Sequence, residues 1–232
     1  TSKPFIQIGE ESLLEKCIKS LPKAKNYIFV LRKNDSLKDL IEKDVENALP
    51  AKKSTFISID KKTEGQAITC LLAEPYFRDE SSLMISSCDY ELRFCSDNLK
   101  ELVNTDCDVI IFTFKLRSLP VGSYENFAYC KSSDNLNVES VIEKSCISSK
   151  PQEDHMVTGT FWFRQGKHFV EGVKGLMKED IRVNDEYYVG TSINFLINKG
   201  LKVKVFEVDN WVSFGDPTEL NLYYFWLDYM RN

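Results

Sequence analysis

The sequence predicts an α/β fold: a mixed, mostly parallel sheet with helices on both faces, joined to a smaller β-rich portion. Three observations carry this. Continuous apolar runs at Tyr27-Ile28-Phe29-Val30-Leu31, Thr55-Phe56-Ile57-Ser58-Ile59 and Val109-Ile110-Ile111-Phe112-Thr113-Phe114 read as strands buried on both faces. Stretches with apolar residues at helical spacing separate them, the alternation that builds a parallel, Rossmann-like sheet. Beyond residue 114 the pattern changes to paired and aromatic-rich strands around a polar turn.

Residues 12–20 read as a helix, with Leu13, Leu14, Cys17 and Ile18 on one face. After the strand at 27–31, residues 35–47 form a second helix, with Leu37, Leu40, Ile41 and Val45 apolar and Asp35 as N-cap. The strand at 55–59 leads to a helix over 64–73, entered through Gly65 and ended by Pro75. Leu83-Met84-Ile85-Ser86-Ser87-Cys88-Asp89 reads as a buried strand that delivers a carboxylate where it ends. A polar helix around 97–103 precedes the strand at 109–114. Residues 127–131 and 138–144 pair around the turn Ser132-Ser133-Asp134-Asn135. A strand at 157–164, helices at 167–179 and 186–198, and an alternating strand at 202–208 follow. Pro217 opens an amphipathic helix over 217–229. No repeat or linker interrupts the pattern, so residues 1–232 read as one domain.

Composition narrows the function. Hydrophobic residues are 43% of the 232 and charged residues 28%, the balance of a globular domain. No apolar run approaches the roughly 20 residues of a membrane span. Lys plus Arg is 30 against 35 Asp plus Glu, a net charge of −5, which argues against nucleic acid or an acidic membrane as partner. The seven cysteines are dispersed, with no C-x-x-C pair, so reduced thiols in a cytoplasmic protein are expected. Two histidines, His155 and His168, leave little for a His-based metal site or relay.

Several segments carry chemistry, each with a plainer alternative. An Asp at the carboxyl end of a strand is well placed to hold Mg²⁺ against phosphate oxygens, or simply caps a turn. Lys3, before Pro4, is a cation suited to phosphate, or a surface lysine in an arm. Gly65 and Gln66 open a helix whose free N–H groups and missing side chain let a planar ring approach, or form a permissive cap. Glu143-Lys144 sets an acid beside a base at a strand end, where a turn or bulge would let both face one site. Gly215-Asp216-Pro217 combines a turn, a cap and a helix start.

In order, these segments resemble the nucleotidyltransferase family that makes nucleotide sugars, over essentially the whole chain. Lys3-Pro4-Phe5-Ile6 resembles the end of the family's signature loop, and Gly65-Gln66-Ala67 stands where the family grips the base. Cys88-Asp89 resembles its Gly-Asp metal site, and Glu143-Lys144 its sugar- and phosphate-binding pair. Thr158-Gly159-Thr160 resembles the strand bordering the sugar pocket. Asn184-Asp185-Glu186 resembles a stretch whose acid contacts the sugar, and Gly215-Asp216-Pro217-Thr218-Glu219-Leu220 the family's Gly-Thr-Pro-Glu-Asp-Leu.

The resemblance implies a nucleotide-binding half at 1–114 and an acceptor-binding half at 115–232. It implies a Mg²⁺-dependent transfer from a nucleoside triphosphate to a sugar 1-phosphate or similar acceptor, with pyrophosphate leaving. Lys3, Asp89 and Lys144 would be catalytic, with Asp89 on the metal. Lys3, Gly65, Gln66 and Asp89 would meet the nucleotide; Ala128, Glu143, Lys144, Gly159 and Glu186 would meet the acceptor.

Three departures stand out. The Gly-rich loop and first strand of the family are not found ahead of Thr1, so the natural chain is expected to begin earlier. Ser213 stands where some members carry a second metal-binding Asp. Ala128 replaces a Gly that lines the sugar site. Two rival readings are a binding module without catalysis and a glycosyltransferase of related fold. The aromatic residues near the C-terminus suit a homo-oligomer contact or core packing equally.

Overall fold

Ser12 ends the first extended stretch and starts the first helix. Its hydroxyl accepts from the Glu15 N–H at 3.1 Å, while Glu15 Oε2 accepts from the Ser12 N–H at 2.8 Å. That reciprocal cap satisfies two donors a helix start leaves open. The computed structural model describes residues 5–33, 35–49, 53–77, 80–116 and 124–231. A hairpin of β1 (Gln7–Ile8) and β2 (Glu11–Ser12) precedes this helix, α1 (Leu13–Ser20).

β3 (Asn26–Arg32) and β4 (Lys53–Ile59), joined through α2 (Asp35–Ala48), form a parallel ladder of their own. Leu14 and Ile18 of α1, Ile41 and Val45 of α2, and Phe29, stacked on Phe56 at 5.4 Å, pack one face. The run 27–31 reads from sequence as a buried strand. It is only half-buried, since it pairs with one neighbour in a two-stranded sheet. Asp35 lies inside the helix rather than ahead of it, so it is not the N-cap that the sequence suggests.

α3 (Gln66–Leu71), β5 (Leu83–Ile85), β6 (Tyr90–Arg93), α4 (Ser96–Val103) and β7 (Val109–Phe114) follow. Then come β8 (Ala128–Ser132), β9 (Val138–Glu143), β10 (His155–Phe163), α5 (Gly166–Lys178), α6 (Val189–Asn198), β11 (Val203–Glu207), β12 (Asn210–Ser213) and α7 (Pro217–Arg231). The central sheet has six strands in the order β11-β7-β10-β8-β9, with β5 also on β10. It is mixed. β11 and β7 run parallel, and the other pairs are antiparallel. The expectation of a mostly parallel sheet is therefore corrected. Continuous apolar runs report burial on both faces, not strand direction. Val109 and Ile111 of β7 pack with Phe169, Val173, Ile193 and Leu196 of α5 and α6. Ile110, Phe112 and Phe114 pack into a second core with Tyr90, Leu99 and Tyr129.

β10 is the strand that organises the site. Its edge opposite β7 is divided: β8 pairs with His155 and Met156, and β5 with Phe161 to Phe163. Thr158, Gly159 and Thr160 lie in the gap between the two, where the register with β7 also shifts. α7 presents apolar residues on two sides. Leu220, Tyr223 and Tyr224 pack against Ile8, Leu13 and Phe214, while Leu222, Phe225, Trp226, Tyr229 and Met230 are exposed. Among the described residues, no helix is long and apolar enough to cross a membrane.

Candidate active site

Gly65 is the residue on which α3 docks. Its φ of +116° lies in the left-handed region, and a Cβ there would stand 2.5 Å from the Tyr187 carbonyl oxygen. The close approach is used. Tyr187 N–H donates to Glu64 O at 2.7 Å, and Ala67 N–H donates to Tyr187 O at 3.1 Å. The next residue, Gln66, donates from Nε2 to Ser87 Oγ at 3.1 Å. The α3 entry loop is thereby tied to the loop that carries Asp89. Gly159 lies against that loop from β10: with φ +93°, a Cβ there would meet Ser87 Oγ at 3.3 Å. Beneath it, Tyr90 OH lies 2.6 Å from Thr160 Oγ1, and Ser86 Oγ lies 3.0 Å from Tyr90 OH. These hydroxyls satisfy one another and fix the floor of the gap.

Asp89 does not terminate β5, as the sequence suggests. That strand stops at Ile85, and Asp89 closes a loop over 86–89 just before β6. The pairing of β5 with β10 ends at Ile85 opposite Phe161, and the chain leaves the sheet there. The Asp89 carbonyl accepts from the Phe214 N–H at 2.9 Å, continuing the β6–β12 ladder. Its carboxylate thus comes beside Gly215. A Cβ on Gly215 would lie 3.2 Å from Ser213 Oγ, 3.3 Å from Glu219 Oε2 and 3.6 Å from Asp89 Oδ2.

Lys144 adopts φ +56° directly after β9. The left-handed turn breaks the strand alternation that would otherwise send Glu143 and Lys144 to opposite faces. The Lys144 N–H donates to Phe127 O at 2.9 Å, its ammonium donates to Asn126 O, and Nζ sits 5.9 Å from the Tyr188 ring centre. Glu143 is held over the start of α6, where a Cβ on Gly190 would lie 2.4 Å from Oε1. Burial pushes the Glu143 carboxyl up to about 7, opposed by Lys144. Ala128 pairs across the ladder with Glu143 and is buried in the core.

Glu186 pairs with Lys62 at 2.8 Å and accepts from Tyr188 OH at 3.2 Å. The Lys62 hydrogen bond lowers its pKa against the opposing effect of burial. It lines a cleft of about 350 Å³ with Val30, Arg32, Lys62, Gly65 and Gln66. Glu186, an acceptor residue by resemblance, therefore stands at the mouth of the cleft that Gly65 and Gln66 form. Lys3 lies outside the described residues. Sequence reasoning singled out none of Ser87, Tyr188, Gly190 or Glu219 as a site residue. Only Glu219 had a signal: Asp216-Pro217-Thr218-Glu219 has the spacing of a helix-capping box.

No family model and no curated protein matches this sequence. Solved structures do resemble it. A nucleoside-diphosphate-sugar pyrophosphorylase from Vibrio cholerae RC9 aligns with a TM-score of 0.76 at 18% identity, over 96% of this chain and 91% of that one. The inositol-1-phosphate CTP transferase from T. maritima gives 0.72 at 19% identity, over 97% and 85%. HddC from Yersinia pseudotuberculosis, complexed with GMP-PN, gives 0.61 at 18% identity, over 97% and 88%. At these identities the likeness establishes a shared fold, in which several members are nucleotidyltransferases by name.

Proposed function

We propose that the protein is a nucleotidyltransferase that joins a nucleoside triphosphate to a sugar 1-phosphate or similar phosphorylated acceptor and releases pyrophosphate. The observation that carries this reading is the Gln66–Ser87 hydrogen bond. It fastens the Gly65 loop to the Asp89 loop across the gap in β10 that Gly159 keeps open. The named activities of structural neighbours support the same reading.

Each residue then has a task. Gly65 lets the entry of α3 close against the Tyr187 backbone, and there it lines, with Gln66, the cleft in which the base would lie. Lys144 offers an ammonium to the acceptor phosphate. Glu143, with its pKa near neutrality, can donate or accept a hydrogen bond to an acceptor hydroxyl. An acceptor phosphate oxygen attacks the α-phosphorus, one P–O bond forms, and the bond to the leaving pyrophosphate breaks. The nucleophile is already anionic, so no general base is needed and the protein contributes positioning and charge.

The donors around Gly215 fit Mg²⁺. The carboxylates of Asp89 and Glu219 and the hydroxyl of Ser213 lie around this glycine, and hard oxygens are the ligands this ion takes. Asp89 would hold it. When bound, the ion would neutralise phosphate charge at the reacting centre.

The test is a panel of four nucleoside triphosphates against several phosphorylated acceptors, read as pyrophosphate. Asp89→Asn should lower the rate by orders of magnitude while the fold persists. Ligand binding without pyrophosphate would favour the non-catalytic module, and nucleoside diphosphate release the glycosyltransferase.

A further inference from the structure

We infer that Tyr188 is a positioning residue, joining Lys144 to the Lys62–Glu186 pair at the nucleotide cleft so that the two substrates bind better together than apart; this rests on the nucleotidyltransferase reading above. Glu186 has both oxygens engaged. Oε1 pairs with Lys62 Nζ at 2.8 Å, and Oε2 accepts from Tyr188 OH at 3.2 Å. Beyond that bond lies the cleft that Lys62, Gly65, Gln66 and Glu186 line. On its other side the Lys144 ammonium sits over the Tyr188 ring, with Nζ 5.9 Å from the centre. One side chain therefore meets both the acid at the nucleotide cleft and the cation offered to the acceptor phosphate.

The plainer explanation is that Tyr188 only starts α6, and the local structure argues against it. Tyr188 is the N-cap, a position that favours Ser, Thr, Asp or Asn because their side chains bond the first N–H groups. Its own side chain makes no such bond. Only its carbonyl serves the helix, accepting from Ser192 N–H at 3.2 Å, as the carbonyl of any residue could. Core packing does not explain it either. The preceding Tyr187 is 4% exposed and packs in the core, with Arg182 over its ring at 4.4 Å and its hydroxyl on Asp180. Tyr188 is half-buried, and its partners are Lys144 and Glu186.

A phenol suits this task. Burial and the neighbouring Glu186 push its pKa up to about 12, so it keeps its proton at neutral pH and donates to Glu186. The electron-rich ring face attracts an ammonium without neutralising it. Lys144 thus keeps its charge for a phosphate, which a carboxylate in the same place would cancel. A nucleotide that settles against Lys62 and Glu186 holds the phenol, and the held ring orders the ammonium. The acceptor then meets a lysine already in place, so it loses less freedom on binding. By linkage the acceptor favours the nucleotide to the same degree.

The experiment is calorimetric titration of the full chain with the sugar 1-phosphate that the panel above selects. It is run with and without a saturating α,β-methylene analogue of the selected nucleoside triphosphate, which cannot release pyrophosphate. The analogue should tighten binding of the sugar phosphate to the wild type roughly fivefold or more. Tyr188→Phe keeps the ring and loses the hydroxyl. Without the analogue it should bind the sugar phosphate as the wild type does; with it, most of the tightening should be gone. Tyr188→Leu loses the ring as well and should bind roughly two- to fivefold more weakly even without the analogue. Glu186→Gln keeps an oxygen for the Tyr188 hydroxyl but breaks the ion pair with Lys62, and should also lose the tightening. Combined with Tyr188→Phe it should lose no more than either change alone, since both cut one link. Thermal melts of these variants should match the wild type. No tightening in the wild type, full tightening in Tyr188→Phe, losses that add in the double variant, or a Tyr188→Phe melt far below the wild type would each overturn the role of Tyr188 and leave the nucleotidyltransferase reading standing. A wild-type protein that forms no pyrophosphate with any pair in the panel would overturn both.

Discussion

The Glu143 carboxylate occupies the place that a side chain on Gly190 would need. A Cβ there would stand 2.4 Å from Oε1 and 3.1 Å from Val141 Cγ1. Gly190 sits in the first turn of α6, where glycine costs about 1 kcal/mol against alanine. Its presence is repaid in the position of an acid.

Gly190→Ala should therefore act on the acceptor. The methyl group must displace Glu143 or move the start of α6. We expect KM for the acceptor to rise severalfold, with KM for the nucleotide unchanged. Steady-state kinetics with each substrate varied in turn checks it. Equal effects on both substrates would place the damage in the fold.

The raised pKa of Glu143 sets a pH dependence. Burial favours its neutral form, so the folded state holds a proton that the unfolded state has released between about pH 4.5 and 7. Stability from this group is full at low pH and lost as pH rises through that window, by roughly 3 kcal/mol in all. Glu143→Gln removes the penalty. Its Tm should exceed the wild type at about pH 8, and the gain should largely vanish at about pH 4.5. A pH-independent difference would contradict the burial that causes it.

Lys144 separates stability from binding. Its left-handed conformation costs about 1 kcal/mol or more in any residue with a Cβ. Lys144→Gly relieves that and forfeits the ammonium. The variant should melt no lower than the wild type, while KM for the acceptor rises at least tenfold. A lowered Tm would mean that the contact with Asn126 O stabilises the fold by more than the backbone strain costs it.

Gly65→Ala should be among the more damaging changes at the site. The added Cβ meets the backbone of Tyr187, and the φ of +116° is hostile to any side chain. Roughly 2–4 kcal/mol of destabilisation is expected. Nucleotide binding should be lost even where the protein stays folded, because α3 can no longer dock. Calorimetry and nucleotide titration measure the two effects.

Most elements were legible in the sequence because burial leaves a pattern. β7, α1 and α5 fall within a residue or two of where periodicity places them. Strand direction was not legible, since an apolar run looks the same whichever way its neighbour points. β12 was hidden too: Asn210-Trp211-Val212-Ser213 is four residues long and reads as a turn until β6 lies beside it. For the same reason the sequence marked Ser213 only as a missing acid. The hydrogen bond that turns it toward Glu219 depends on α7 folding back over that strand, which no local spacing encodes.

One strand serves both halves of the site, and this limits how the protein can move around its ligands. β10 carries the β8 contacts at one end and the β5 contacts at the other, and β7 runs along its opposite edge past both. Two lobes swinging like a clamshell would have to tear that shared spine. The β3–β4 ladder, which lines the cleft with Val30 and Arg32, has no strand pairing to that spine, so enclosure of a ligand falls to it and to the loops.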